Sequence, residues 1–483
     1  MDSVSYVNIL CPVFAGRKVI FIGEVAAFFT ADAQRVRDMG ASDVLVIGVG
    51  RRGMGALPSA DVATVVVLDQ DVALSTNSMD LIRAAERAVS HPSDQLLSVL
   101  RSFDPDGSAV VLGFFLNTTS TLDGRPFLSY RRPEWVALED KTVIDAFWDR
   151  AGVPRAPAQI VDVDRLRLRE VSHSLDSGNG TVWSGDTKEG FNGGGEYVRW
   201  IRHADDADDA FEFFRQHCDL VRVMPFLEGI PCSIHGIVFP DFVVALRPVE
   251  MVTLRRDGRN RVNGALAYSG CASFYDPPDA VRESMRELAK TVGAALRSEV
   301  GFRGAFTIDG VVTRAGFLPT ELNPRMGAGL STVLTGMPDL PVQLLLDALI
   351  GGVNLGLDPA IVETELLNAA DATRAGGTWR GSVSPGLVEV ENRPIRFVAG
   401  NWQWSADGEH ADGWASSSLD SGNGRVRLMF NPKGTPIGES VGPRAAAFWR
   451  FADEHLGTNC GPMSPAAGQP QVATAPLPPP VAE

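Results

Sequence analysis

Apolar runs and polar, turn-forming stretches follow one another in a regular order over the first 135 residues. "KVIFIG" (18–23) reads as a strand, "AAFFTADAQRVRDMG" (26–40) as a helix closed by Gly40, and "DVLVIGV" (43–49) as the next strand. "ATVVVLD" (63–69), the helical pattern "SMDLIRAAERAV" (78–89) and "SAVVLGFF" (108–115) continue the series. Strands separated by helices predict a parallel sheet covered on both faces, so this stretch reads as a first α/β domain.

From about Pro133 the rhythm changes. "LEDKTVIDAFWDRAGVPRAPAQIVD" (138–162) predicts an amphipathic helix with apolar Val143, Ile144, Phe147 and Trp148, ending at Gly152, then a strand in "AQIVDV". Residues 168–200 are rich in Gly, Ser and Asn and show no clear period. Two strands are expected in 219–250, a helix over 279–300, and strands in "GAFTIDGVV" (304–312) and "GFLPTELN" (316–323). After about residue 375 come strand patterns holding Trp379, Trp402, Trp404 and Trp414, read as core of a small domain, and a helix over 444–456. Four units follow: 1–135, 136–375, 376–459, and a Pro/Ala-rich tail 460–483 expected to be disordered.

Composition narrows the functions available. Of 483 residues, 45% are apolar and 21% charged, enough for several cores. Against 44 Lys and Arg stand 59 Asp and Glu, a formal charge of −15 that argues against a nucleic-acid backbone as partner. Five scattered cysteines (Cys11, Cys218, Cys232, Cys271 and Cys460) without a C-x-x-C pair suggest a reducing cytoplasm and no zinc site. The expectation is a cytoplasmic protein without a secretion signal or membrane span.

One motif suggests a cofactor at once. In "DVLVIGVGRRGMGAL" (43–57), Gly48, Gly50 and Gly53 spell G-x-G-x-x-G, and Asp69 follows about 20 residues later, as in a dinucleotide-binding turn. Such a turn must pass directly into a helix, yet Gly55 and Pro58 interrupt the next residues. A loop rimming a cleft, with Arg51 or Arg52 available for a substrate carboxylate, is the preferred reading over a dinucleotide oxidoreductase.

The strongest chemistry lies in "RGAFTIDGVVTRAGFLPTELNPRMGAG" (303–329). Asp309 alternates with apolar neighbours on one strand, while Glu321 and Asn323, two apart on the next, share a face. Two carboxylates and an amide make an all-oxygen site suited to Mg²⁺, or Mn²⁺ in its place. Arg325 falls on the same face and can answer phosphate charge, and Gly327 and Gly329 leave backbone N–H groups open to an anion.

These residues resemble the metal-binding end of the ATP-grasp superfamily of carboxylate–amine ligases, and other pieces match in order over about 190 residues. "EDKTVIDAFWDRAGVP" resembles the entry helix, implying that Lys141 reaches the ATP phosphates. "KEGFNGGGEYVRWI" (188–201) resembles the second lysine and glycine-rich flap, implying Lys188 on the phosphates and Gly193, Gly194 and Gly195 closing over them. "VRVMPFLEG" (221–229) resembles the hinge, implying backbone near Met224 and Phe226 on the adenine and Glu228 on the ribose; Pro225 holds the position usually taken by Glu. The implied architecture is a pre-ATP-grasp α/β domain, an ATP-grasp core of two α+β subdomains clasping ATP, and a C-terminal cap.

"GEYVRWI", "LRPVEMVTLRR" (246–256) and "RLMFNPKGTPIGESVGPRAAAFW" further resemble the peptide ligases of pheganomycin-type biosynthesis. The resemblance implies an enzyme that activates a nonproteinogenic, amino-acid-like acid as an acyl phosphate and joins it to a peptide amine, releasing ADP and phosphate. Partners would be a small carboxylic acid donor and an amino acid or peptide acceptor, with a homodimer left open. Arg325 or Arg303 would stabilise charge on the acyl oxygen. Arg247 and Glu250, three apart after an apolar strand, would hold substrate. A phosphotransferase using the same phosphate cradle is the alternative.

Overall fold

The computed structural model describes residues 5–51, 55–68, 78–113, 117–190, 192–256, 266–382, 384–420 and 423–465. Among them the first domain holds a four-stranded parallel sheet, in the order Thr64–Leu68, Asp43–Arg51, Lys18–Val25 and Val110–Leu112. The predicted strands are present, flanked by the helices Thr30–Asp38 and Ser78–Ser90. Two further helices lie where the sequence reading placed none. Tyr6–Phe14 precedes the first strand, and Asp94–Phe103 starts at Ser93, whose hydroxyl accepts from the Leu96 N–H at 3.2 Å.

A small antiparallel sheet runs Gln159–Asp162, Leu220–Pro225, Thr181–Gly185 and Val198–Ile201, in that order, its first two strands expected and its last two hidden in or at the end of the Gly/Ser/Asn-rich stretch. Trp183, Val221 and Val223 on one face pack with Leu168 and Val171 from the helix Arg165–Leu175 and Phe214 from the helix Ala204–His217. The opposite face, carrying Ser184, Arg222 and Met224, turns the other way by strand alternation.

A larger sheet forms the rest of the framework. It runs Gly316–Asn323, Gly304–Thr313, Ile230–Val238, Val249–Arg256, Leu266–Ala272, Gly376–Ser382, Asn423–Phe430, Gly413–Asp420, Val390–Val398 and Asn401–Trp404. Hydrogen-bonded pairing passes from Gly270 to Thr378, so the C-terminal strands extend the central sheet rather than stack on it. Met463–Pro465, assigned to the tail by composition, instead pairs with Leu254–Arg256 as an edge strand. The helix Asp279–Val300 covers one face and stops at Gly301 in the left-handed conformation (φ 60°).

The first domain and the large sheet share a core. Tyr6, Leu10 and Phe14 pack with Leu344, Leu345 and Leu349 of the helix Val342–Ile350, each such side chain contributing about 1.5–3 kcal/mol by burial. This contact sets the first domain beside the loop that follows Asn323.

Candidate active site

The register of two neighbouring strands gathers the acidic groups. Asp309 stands opposite Glu321 on one side and opposite Ser233 on the other, and Thr307 stands opposite Asn323. The pairing shifts between Asp309 and Gly310, so Thr320 is an extra residue at this point. A bulge of this kind bends a strand and re-aims its side chains, and this one adjoins the carboxylates.

Asp309 Oδ1 accepts from Ser233 Oγ at 2.5 Å, and Oδ2 accepts from Asn323 Nδ2 at 3.0 Å. Lys141, buried at the entry to its helix, brings Nζ within 3.1 Å of Glu321 Oε2. Burial, and after it the facing Glu321 carboxylate, pushes the Asp309 carboxyl up from its ordinary range, against the Ser233 hydrogen bond and the charges of Arg325 and Lys141. A dication would relieve that repulsion. No group of three or more His, Cys, Asp or Glu side chains suited to a metal occurs among the described residues. The oxygen set is therefore two carboxylates and an amide, which leaves coordination positions for phosphate oxygens and fits Mg²⁺ chemistry.

Arg325 links these groups to a second set that sequence reasoning missed. Its Nη2 donates to Asn323 Oδ1 at 2.9 Å and its Nε lies 3.1 Å from Glu139 Oε1. Glu139 also pairs with the buried Arg131. Close backbone approach holds the following loop: a Cβ on Gly327 would stand 2.5 Å from Thr307 Oγ1, and one on Gly329 2.5 Å from His235 Nε2. His235 is itself buried, with Nδ1 2.9 Å from Thr307 Oγ1, and burial drops its pKa to about 3, so the imidazole is neutral. The two glycines thus lie beside the acidic cluster, where a side chain would lift the loop off the sheet.

Other expected site residues lie elsewhere. Lys188 is not at a strand end: Thr181–Gly185 stops three residues earlier, and Lys188 Nζ reaches outward to Asp219 at 2.6 Å. Its neighbour Thr187 does face the site, its N–H and hydroxyl donating to Asp140 Oδ2 at 3.1 and 2.9 Å beside Lys141. Gly193–Gly195 lead into the strand Val198–Ile201, and a Cβ on Gly195 would stand 2.9 Å from the Leu266 carbonyl oxygen, so the turn bridges the small and large sheets. At the hinge the Phe226 N–H donates to Gly180 O at 3.0 Å and is unavailable to an adenine edge, while the Phe226 ring stacks on Trp200 at 4.1 Å. Met224 is buried on the open face of the small sheet and Glu228 is exposed.

Arg303 lies six residues before Asp309, about 20 Å along an extended strand, and its Nη1 lies 3.5 Å from the Gly352 carbonyl oxygen. The structure does not bring it to the acidic cluster around Asp309 and Glu321. Glu250 pairs with Cys232, one residue from Ser233, so it projects from the sheet face opposite Asp309. There it accepts from Ser440 Oγ at 2.6 Å, Val441 N at 2.9 Å and Gly442 N at 3.2 Å, anchoring the helix Gly442–His455. Arg247 pairs instead with Asp276 and Asp371. These two residues hold structure together and do not form a substrate pair.

The glycine fingerprint also takes a different form. Gly48 and Gly50 lie within the strand Asp43–Arg51, and among the described residues no helix intervenes before the next strand at Thr64. The Arg51 side chain, and Arg52, Gly53 and Asp69 entirely, lie outside the described residues. Among the residues not foreseen, Arg222 had a visible signal, being a charge inside the apolar run "LVRVMPF". It is buried on the open face of the small sheet and pairs with Asp145 through both Nε and Nη2, at 2.9 and 2.8 Å.

The chain has an ATP-grasp fold. It superposes on the biotin carboxylase domain of 2-oxoglutarate carboxylase from Hydrogenobacter thermophilus, in complex with MgADP, ADP and bicarbonate, with a TM-score of 0.55, 15% identity, and 91% of this chain and 90% of that one covered. An N5-carboxyaminoimidazole ribonucleotide synthetase in complex with ADP gives 0.50, 14% identity, and 91% and 98% coverage. Biotin carboxylase from Campylobacter jejuni gives 0.51, 12% identity, and 91% of each chain. By sequence, no known family and no curated protein matches the chain. Among the described residues no helix is long and apolar enough to cross a membrane.

Proposed function

We propose that this protein is an ATP-dependent carboxylate–amine ligase. The observation that carries the reading is the convergence of Asp309, Glu321, Asn323, Lys141 and Arg325 on one face of an ATP-grasp sheet. The structural neighbours described above are nucleotide-bound enzymes of the same fold, which supports ATP as the substrate consumed.

Amide formation from a free carboxylate requires a leaving group on the acyl carbon. A donor carboxylate oxygen bonds to the γ-phosphorus of ATP as the bond to the β,γ-bridging oxygen breaks, giving an acyl phosphate and ADP. The amine nitrogen then bonds to the acyl carbon, inorganic phosphate leaves, and the nitrogen loses a proton. Asp309, Glu321 and Asn323 would hold Mg²⁺ or Mn²⁺, which neutralises charge on the β- and γ-phosphates when bound. Lys141 adds a buried cation beside Glu321, which would face the phosphates. Arg325, fixed between Asn323 and Glu139, would supply a guanidinium for the charge on the phosphoryl group or the acyl oxygen. A pre-oriented donor of that kind is typically worth about 3–4 kcal/mol in the transition state.

The finer reading is a peptide ligase that joins a nonproteinogenic, amino-acid-like acid to a peptide amine in natural-product biosynthesis. It is supported by the likeness of "GEYVRWI", "LRPVEMVTLRR" and the C-terminal block to pheganomycin-type ligases. The test is ADP and phosphate release on incubation with Mg-ATP and pooled acids and amines, with products read as new masses. Release should need both a carboxylate and an amine, and Glu321→Ala should abolish it. Formation of AMP and pyrophosphate overturns the acyl-phosphate route, and a stable phosphorylated product without an amide favours a phosphotransferase.

A further inference from the structure

Three consecutive residues before the entry helix, Glu139, Asp140 and Lys141, send their side chains to three different elements. Lys141 reaches Glu321 on the large sheet, and Asp140 accepts from Thr187 in the loop of the small sheet. Glu139, the last residue of the single turn Ala137–Glu139, turns to Arg325 in the loop after Asn323.

Glu139 stands between two guanidinium groups, and both meet the same oxygen. Arg325 Nε lies 3.1 Å from Oε1, and Arg131 Nη2 donates to that atom as well. Arg131 is 3% exposed and Glu139 5%, so neither side chain can be re-aimed without unpacking its surroundings. The Arg131 N–H in turn donates to Asn117 O at 3.1 Å, which fastens this buttress within the first domain. The Arg325 guanidinium is thus placed from three sides: Nε faces Glu139, Nη2 donates to Asn323 Oδ1 at 2.9 Å, and Nη1 donates to the Met326 carbonyl at 3.4 Å. Its side chain keeps 13% exposure, so the group is held without being sealed off.

An arginine side chain without such contacts samples many rotamers, and ordering it during a reaction slows that reaction. A carboxylate that sets the plane of the fork beforehand removes the loss. We propose that Glu139 is a positioning residue: buttressed by Arg131, it fixes the Arg325 guanidinium and affects the reaction through Arg325 alone. The inference rests on the ligase reading for the reaction that Arg325 serves, whereas the pinned geometry can be measured without turnover. The charge that Arg325 meets grows during transfer, so the effect belongs to kcat rather than to the binding of ATP.

Steady-state ADP release by the full chain tests the role. Glu139→Gln keeps the volume and removes the charge, and kcat should fall by about 10- to 100-fold with KM for ATP within about threefold. In an Arg325→Ala background the same change should alter kcat less than about twofold, whereas a carboxylate with a merely structural role would cost the same in both backgrounds. Arg131→Met withdraws only the buttress and should repeat the kcat loss at smaller size, which keeps the test in hand if Glu139→Gln fails to fold. A kcat within threefold of wild type in Glu139→Gln, a loss carried by KM, or an equal loss in both backgrounds overturns the proposal. The second readout needs no substrate. In nuclear magnetic resonance spectra of protein labelled with nitrogen-15 arginine, the Arg325 Nε–H signal, assigned by its loss in Arg325→Ala, should exchange slowly with solvent in wild type. In Glu139→Gln or Arg131→Met that exchange should quicken by about tenfold or more, and unchanged exchange overturns the pin. A protected signal from a protein that releases no ADP counts instead against the ligase reading and leaves the pin standing.

Discussion

Asp309 and Glu250 are two carboxylates on opposite faces of one sheet, on either side of the strand Ile230–Val238. Burial is the first cause of a raised pKa for both. Their partners differ. Glu250 meets three donors whose positions are fixed by the start of a helix: a hydroxyl and two backbone N–H groups. Asp309 meets a hydroxyl, an amide, a second carboxylate and, across Glu321, a lysine. Fixed dipoles satisfy a charge and lock the fold, whereas a like-charged neighbour leaves a site that gains from an added cation. The same residue chemistry thus gives an anchor on one face and a candidate catalytic centre on the other.

Activity separates them most. Asp309→Asn should reduce amide formation by at least 1,000-fold, read as ADP release, with little change in the melting transition. Glu250→Gln should leave the rate within about threefold at 25 °C. A large rate loss in Glu250→Gln would return it to the site and end the comparison.

Stability should show the converse. Glu250→Ala leaves buried N–H and O–H donors without their acceptor, a cost of about 3 kcal/mol for the group, detectable as a lowered denaturation midpoint. The pH dependence sharpens the point. The Glu250 pKa is pushed up to about 7 from 4.5, mainly by burial, with Ser440, Val441 and Gly442 opposing. Between those two values the folded state holds a proton that the unfolded state has lost. The contribution of this group is therefore complete below pH 4.5 and fades as the pH rises to 7. Wild type should lose stability relative to Glu250→Gln across that window, and a constant difference from pH 4.5 to 8 would show that the three donors outweigh burial.

Legibility in the sequence followed the same division. Asp309, Glu321 and Asn323 could be read because a polar residue at period two in an apolar strand has one place to point. The strands of the first domain were likewise written in alternating runs, whereas its helices Tyr6–Phe14 and Asp94–Phe103 were not read. The small sheet was read only by half: Gln159–Asp162 and Leu220–Pro225 were expected, whereas Thr181–Gly185 and Val198–Ile201 lie in or at the end of a Gly- and Ser-rich stretch and pack against the helices Arg165–Leu175 and Ala204–His217. Lys188 was set on the phosphates by the family resemblance alone, and its loop bends at Asp186 and sends the ammonium to Asp219. Glu139, Arg131 and Asp145 depend on partners 8 to 186 residues away, which no local pattern encodes. Arg222 did carry a signal, since it is a single charge within an apolar run.

The smallest expected effect concerns how the flap is held. Arg83, on the helix Ser78–Ser90 of the first domain, places Nη2 2.7 Å from Glu196 Oε2, one residue after the Gly193–Gly195 turn. The pair is about 30% exposed on each side, so its net worth is at most about 1 kcal/mol. If the turn covers bound nucleotide, Arg83→Ala should raise KM for ATP by up to about fivefold, with kcat unchanged, because the pair touches no reacting atom. The difference should vanish near 1 M salt, where screening acts within about 3 Å. A fall in kcat instead would mean that the first domain positions the reacting groups as well as the flap, and that the sheet face bearing Asp309 depends on a contact which the face bearing Glu250 does not need.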